Sequence, residues 1–224
     1  MIRLAGVSKS FPTGGRLVPV LHEIQLEIGP GEMVALVGSS GSGKTTLMNI
    51  LGGLDRPTSG QYFLDHQEIG RLDTRALARV RNVYIGFVFQ SFNLVPTLTA
   101  LENVELPLVY RGVAPAERRR RSTEVLERIG LGAHQRLKPF QLSGGQQQRV
   151  AICRALVGNP RVLLADEPTG NLDSGTSAEV LDLFQAIHQS GGHTMVLVTH
   201  DRAVARACQR TVEIADGHIA QEVL

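Results

Sequence analysis

The segment from Met33 to Thr46 constrains the fold more than any other part of the sequence. Met33-Val34-Ala35-Leu36-Val37 is an unbroken apolar run, the pattern of a strand buried on both faces. It leads into Gly38-Ser39-Ser40-Gly41-Ser42-Gly43-Lys44-Thr45-Thr46, which fits G-x-x-x-x-G-K-[ST]. The glycines let the backbone turn tightly, so that its N–H groups converge on a polyphosphate. Leu47, Met48, Ile50 and Leu51 follow with helical spacing, so a helix starting near Lys44 aims the positive end of its dipole at the same anion. Lys44 is placed to reach the β- and γ-phosphates, and the Thr45 hydroxyl to ligate Mg²⁺.

Further buried runs recur at Ile85–Phe89, Val162–Ala165 and Met195–Val198. Helix-like segments separate several of them, which predicts an α/β fold with a largely parallel sheet. Ile24–Ile28 alternates apolar and polar residues as a half-buried strand does, and Gly29-Pro30-Gly31 closes it. The first thirty residues read as short strands and turns. Between about Leu98 and Gly158 there are several helix-like segments and no convincing strand, so this stretch is expected to form a helical lobe. Within it Pro115–Ile129 places Val125, Leu126 and Ile129 on one face.

Val162–Ala165 ends in Asp166-Glu167. An acid at the carboxyl end of a sheet strand beside a phosphate loop is placed to hold Mg²⁺, a task that suits Asp166. Glu167, one residue on, points elsewhere and suits the orientation or deprotonation of an attacking water. Leu142-Ser143-Gly144-Gly145-Gln146 precedes a long helical segment, Gln147–Val157. A Ser and two glycines before a helix make a second anion-binding N-terminus.

Together these segments resemble the ATP-binding-cassette (ABC) ATPases over essentially the whole chain. Gly38–Thr45 resembles their Walker A loop, Asp166 with Glu167 their Walker B acid and catalytic glutamate, and Leu142–Gln146 their signature motif. Gln90 after Phe87-Val88-Phe89 is similar to the Q-loop glutamine, Asn171-Leu172-Asp173 to the D-loop, and His200 after Val198-Thr199 to the switch histidine. Phe11 stands where the family has an aromatic ring that stacks on adenine.

The resemblance implies a single ABC ATPase domain over residues 1–224. It would have a P-loop NTPase (RecA-like) core at 1–97 and 159–224, an N-terminal antiparallel β portion, and an inserted α-helical lobe at about 98–158. It implies ATP and Mg²⁺, with Glu167, His200, Gln90 and Lys44 in catalysis and Thr45, Gln90 and Asp166 on the metal. The nucleotide would be held by Phe11, Gly38, Ser39, Ser40, Gly41, Ser42, Gly43, Lys44, Thr45 and Thr46. Ser143, Gly144, Gly145, Gln146 and Asp173 would complete the site across a head-to-tail homodimer in the ATP-bound state.

Within the family the chain is most similar to the group of macrolide-exporter (MacB), lipoprotein-release (LolD) and cell-division (FtsE) ATPases. The residues behind this are Leu51–Gly60, Ile85–Leu94, Leu101–Leu108 and Asp166–Asp173. The group implies a motor for export or extraction, driven through a separate integral-membrane permease (FtsX/MacB-like) that docks near Gln90–Thr99. The alternative is a non-transport regulator that acts on an extracytoplasmic partner through a membrane subunit.

Composition sets the remaining bounds. Lys+Arg 23 against Asp+Glu 21 gives a net charge of +2, too weak to argue for nucleic-acid binding through bulk charge. Cys153 and Cys208 stand far apart and suit neither a zinc site nor a disulfide framework. No window approaches 18 consecutive apolar residues and Met1–Ala5 has no signal-peptide pattern. The expectation is a cytoplasmic protein, peripheral on the inner face of the cell membrane. Arg118–Arg121 is expected on a solvated helix face beside Glu117, Glu124 and Glu127.

Overall fold

A computed structural model describes residues 1–223. Two sheets enclose the helix that follows the phosphate loop. The first sheet is antiparallel, in the order β2 (Arg16–Ile28), β1 (Ile2–Thr13), β4 (Ser59–Leu64), β5 (Gln67–Glu68). The second has the order β10 (His218–Val223), β9 (Arg210–Ala215), β3 (Met33–Val37), β8 (Thr194–Val198), β7 (Val162–Asp166), β6 (Ile85–Phe89). There β9, β3, β8, β7 and β6 run parallel, and β10 returns antiparallel to β9.

The runs predicted as buried strands are β3, β6, β7 and β8. The first thirty residues differ from the expectation of short strands: β1 and β2 are 12 and 13 residues long and form one hairpin. Register shifts between Leu4 and Ser10 break the alternation that marks a strand in sequence. Gly14-Gly15, both at positive φ, make its turn, and that pair is the sequence signal for the hairpin. Pro19 is tolerated because β2 is an edge strand.

Helix α1 (Lys44–Leu51) buries Leu47, Met48, Ile50 and Leu51. They pack with Ile2, Leu4, Leu26 and Tyr62 of the first sheet and Val34, Leu36 and Val196 of the second. Helix α2 (Thr74–Tyr84) adds Leu77 and Val80 to this core. The opposite face of the second sheet is covered by α5 (Gly144–Leu156), α6 (Ser174–Gln189) and α7 (Arg202–Arg206) through Ile152, Val180, Phe184 and Val204.

The helices between residues 98 and 158 gather around an apolar cluster of their own. It comprises Ala100, Leu101, Val104 and Leu108 of α3 (Ala100–Tyr110), Leu126 of α4 (Pro115–Arg128), and Val150 and Cys153 of α5. Helix α5 serves two cores: Val150 and Cys153 face this cluster, while Ile152 and Ala155 face the central sheet. The arginine run on α4 divides as its helical spacing requires. Arg120 and Arg121 pair with Glu117, Arg120 also with Glu124, and Arg118 and Arg119 turn to Glu105 of α3.

Candidate nucleotide site

The parallel strands deliver the candidate residues to one edge. Gly38 follows β3, Thr199-His200 follow β8, Asp166-Glu167 end and follow β7, and Gln90 follows β6. In the register Asp166 lies beside Val198, and Val198 beside Leu36. Chain segments far apart in sequence therefore meet at the carboxyl ends of adjacent strands, where open α/β sheets bind ligands. The resulting cleft, about 770 Å³, is lined by Gly38–Gly41, Gly43–Thr46, Gln90, Asp166, Glu167 and His200, with Val20 and Val198.

The loop is built for glycine at two points. A Cβ on Gly38, at φ 153°, would stand 2.2 Å from the Ile214 carbonyl oxygen, and one on Gly43, at φ 105°, 2.7 Å from Leu21 Cδ2. Helix α1 starts at Gly43 without a side-chain cap and with no acidic residue in its first turn. By contrast α2, α3, α5, α6 and α7 are each capped by an Asp, Thr or Ser side chain. The first-turn N–H groups of α1 are thus available to an anion in the cleft. Ser42 Oγ is buried without a partner. Lys44 Nζ folds back onto its own loop, donating to Gly38 O at 2.8 Å and Ser39 O at 2.7 Å.

Across the cleft the Asp166 carboxyl is held above its ordinary range, first by burial and then by the adjacent Glu167, with Lys44 opposing. Glu167 has φ 44°, a left-handed conformation that non-glycine residues rarely adopt. That turn directs its carboxylate to His200, while its charge stays near enough to raise the Asp166 pKa. His200 Nδ1 donates to Glu167 Oε1 at 2.7 Å, and the buried Thr199 hydroxyl donates to Oε2 at 3.4 Å. Because the carboxylate only accepts, the bond fixes the proton on Nδ1 of His200. Gln90 and Asn171 exchange bonds, Gln90 Nε2 to Asn171 Oδ1 at 3.2 Å and Asn171 Nδ2 to Gln90 O at 3.1 Å.

The donor set suits Mg²⁺. No three His, Cys, Asp or Glu residues among those described gather into a metal cage. Asp166, Gln90 and the Thr45 and Thr46 hydroxyls line the cleft as hard oxygen donors. Mg²⁺ is ordinarily held by one or two carboxylates together with phosphate oxygens and water.

The other expected nucleotide residues lie outside this cleft. Ser143 and Gln146 form a capping box at the start of α5: Ser143 Oγ accepts from Gln146 N at 3.3 Å, and Gln146 Oε1 accepts from Ser143 N at 2.9 Å. Asp173 caps α6 and accepts from the Thr176 amide and hydroxyl, which hold its carboxyl below the usual range. Phe11 is on the β1–β2 hairpin opposite Val18, with Lys9 Nζ 4.8 Å from its ring centre. Neither Phe11 nor Ser143–Gln146 lines the cleft.

Sequence reasoning missed three polar residues that support the site: Thr199, Gln148 and Asn103. Each is fully buried. Asn103 on α3 ties down the segment after Gln90. Its Oδ1 accepts from Val95 N at 2.7 Å, and its Nδ2 donates to Val95 O, Leu98 O and Thr99 O. A second cavity of about 1090 Å³ lies between α2, β6, α3 and α5. Leu54, Val83 and Tyr110 line it and are exposed. Its charged lining consists of Arg75, Arg79, Arg81, Arg111 and Arg154, and of the expected docking segment Gln90–Thr99 it includes Asn93.

A phosphate loop, a carboxyl-edge acid pair and a histidine on neighbouring parallel strands define a P-loop nucleoside-triphosphatase. The family model for ABC transporters matches residues 21–170, and the chain belongs to the ABC transporter ATP-binding family, as an ABC ATPase. It is 54% identical over 224 residues to the macrolide export ATP-binding/permease protein MacB of Syntrophobacter fumaroxidans, a match covering 99% of this chain and 31% of that protein. It is 53% identical over 219 residues to the ABC transporter ATP-binding protein YvrO of Bacillus subtilis, covering 98% of this chain and 95% of that one. The chain thus spans about a third of the MacB relative and nearly all of YvrO. Among solved structures it is similar to the ATP-binding cassette MJ0796 in a dimeric, post-hydrolysis state bound to ADP and Pi. There the TM-score is 0.91 and the identity 45%, over 100% of this chain and 98% of that one.

Proposed function

We propose that the chain is the ATP-hydrolysing motor of a membrane export or extraction system, working as an ATP-closed homodimer on a separate permease. One observation carries the reading: the cleft gathers Gly38–Gly41, Gly43–Thr46, Gln90, Asp166, Glu167 and His200, while the second anion-binding helix start, at Ser143, stands outside it. A site divided in this way is completed by the Ser143–Gln146 loop and Asp173 of a second copy. The dimeric cassettes among its structural relatives support that arrangement.

In the closed dimer, ATP lies with its phosphates on the Gly38–Thr46 loop and the first turn of α1, and Phe11 stacks on the base. Lys44 leaves Gly38 O and Ser39 O for the phosphate oxygens. Thr45, Gln90 and Asp166 would hold Mg²⁺, which would supply charge neutralisation at the phosphates when bound. Glu167 orients the attacking water and accepts its proton on the carboxylate, and His200 contacts the γ-phosphate. Ser143, Gly144 and Gly145 donate to the γ-phosphate held by the partner copy. ATP binds the closed state better than the open one and so shifts the population towards closure.

No helix among the described residues is long and apolar enough to cross a membrane. The ATP-binding/permease names of the MacB relatives support a membrane permease as the motor's partner, with the motor peripheral on the inner membrane face. The apolar, arginine-lined cavity beside Asn93 is the docking surface, continuous with the Gln90–Thr99 segment.

The test uses Glu167→Gln, which keeps the phosphate cradle and loses the base. With Mg-ATP it is expected to shift from monomer to stable dimer in light scattering, with hydrolysis slowed by about 10²–10⁴-fold. Wild-type turnover by this variant would refute the role of Glu167. Trapped in native membranes, it is expected to bring down a membrane protein with a large extracytoplasmic domain. A wall-remodelling enzyme in the same complex would favour the regulatory alternative, and no membrane partner would refute the motor.

A further inference from the structure

Gln148 lies on α5, five residues beyond the cap Ser143, and is fully buried. Its Nε2 donates to the Pro168 carbonyl at 2.6 Å. Pro168 directly follows Glu167, whose backbone is in the left-handed region at φ 44°. The Glu167 N–H is held on the other side by Val198 O at 2.9 Å. The strained residue is therefore fixed from β8 through its amide and from α5 through the carbonyl that follows it. Backbone strain of this kind persists where the surroundings over-determine it.

Packing alone does not account for an amide at this position. Gln148 Oε1 is buried with no donor, a costly state that a methionine of similar volume would avoid. Flipping the amide would give no relief, since it would turn an acceptor towards the Pro168 carbonyl.

We infer that Gln148 is a positioning residue: it holds Pro168 so that the Glu167 carboxylate stays on His200, and it carries movement of the Ser143 loop to the chain's own base. Ser143 and Gln148 share one stretch of helix about 7–8 Å long, at 1.5 Å per residue. A shift of the helix start on meeting the partner's nucleotide therefore moves the Gln148 amide and with it the carbonyl next to Glu167. This inference rests on the proposed roles of Glu167 and of Ser143–Gly145. It links the two composite sites of the dimer through one side chain.

The test compares steady-state ATP hydrolysis by wild type, Gln148→Met, Glu167→Gln and the double variant. Gln148→Met keeps the volume and loses the donor. Its kcat is expected to fall about 10- to 100-fold, the scale of a misplaced catalytic group, with KM for ATP held within about twofold. In the Glu167→Gln background the same change is expected to cost nothing further, because residues that act as a unit are not additive. A folded Gln148→Met with wild-type kcat overturns the inference. So does a loss that repeats in both backgrounds, or a rise in KM that accounts for it, since either is general damage. Should Gln148→Met not fold, Gln148→Asn keeps an amide one methylene short of Pro168 and is expected to show the same fall. If neither folds, Gln148 is a fold determinant and the inference fails. Wild-type hydrolysis by Glu167→Gln would instead remove the parent reading, a result separable from all of these.

Discussion

Asn103→Leu tests whether a single buried side chain organises the segment that follows Gln90. Asn103 makes four hydrogen bonds, at 2.7, 3.1, 3.3 and 3.0 Å, to the backbone of Val95, Leu98 and Thr99. Leucine fills about the same space and makes none of them. Each bond contributes about 0.5–1.5 kcal/mol net, and a stranded buried group costs more. Val95, Pro96 and Thr97 are exposed, so water can reach some of the freed groups. The expected loss is therefore about 2–4 kcal/mol rather than the full sum. For a chain of this length that lowers Tm by about 4–15 °C. The assays are calorimetry and amide hydrogen exchange, with exchange rising across residues 95–99 before global unfolding. ATP hydrolysis by the isolated chain is expected to survive, because Asn103 does not line the nucleotide cleft. A loss under about 1 kcal/mol, or unchanged protection of residues 95–99, would refute the reasoning.

Three further outcomes follow from the same geometry. Asp166 holds its proton more tightly folded than unfolded, so its contribution to folding is present below its ordinary pKa and lost as pH rises through the raised value. Asp166→Asn is accordingly expected to raise the Tm of the nucleotide-free chain at neutral pH. The gain should be smaller at about pH 5 than at about pH 8, and a pH-independent or negative effect would count against it. Gly145 lies against α6, where an added Cβ would stand 2.3 Å from Thr176 Cγ2. The Thr176 hydroxyl is tied to Asp173 at 2.6 Å, so the side chain cannot turn away. Gly145→Ala should cost about 1–3 kcal/mol by overpacking, and Thr176→Ser should restore most of it in denaturant unfolding. Failure of that rescue would place the strain elsewhere. Burial drives the Cys153 thiol far up and raises Cys208 to about 12, so both should react slowly with a thiol reagent at about pH 8 until the chain unfolds. A fast-reacting native thiol would contradict this burial.

The residues of the cleft were legible because each group is contiguous in sequence and ends an apolar strand run. The Met33–Val37 strand announces the loop after it, and Val162–Ala165 announces Asp166 and Glu167. Strand order was not legible, and strand order brings Gly38, His200, Asp166 and Gln90 to one edge. The long β1–β2 hairpin was hidden by register shifts and by Leu17 and Val18, apolar residues that stand exposed at its tip. Gln148, Asn103 and Thr199 left no signal, since a polar residue in a helix or at a strand end ordinarily faces water. What distinguishes them is burial, a property of the packed structure. The sharing of α5 between two cores was likewise invisible, because its apolar residues lie on two faces that only packing assigns.

Several local costs sit at the same edge. Glu167 is held at positive φ, Ser42 Oγ lacks a partner, the α1 start is uncapped, and Asp166 and Glu167 crowd two carboxylates together. A phosphate would satisfy the free N–H groups of α1, and a cation that accompanies it would offset the paired carboxylates. The start of α5 is different: its cap is satisfied within the chain, yet Ser143 Oγ uses only its acceptor there, through the Gln146 amide. The Ser143 O–H and the first N–H groups of α5 remain free to donate. An arriving phosphate would gain these donors without dismantling the helix start. Such a surface suits a contact that forms and breaks with every nucleotide cycle, whereas the strained edge across the cleft suits one that holds nucleotide throughout it. The proposed division of labour between the two elements thus follows from where each chain segment satisfies its own hydrogen bonds.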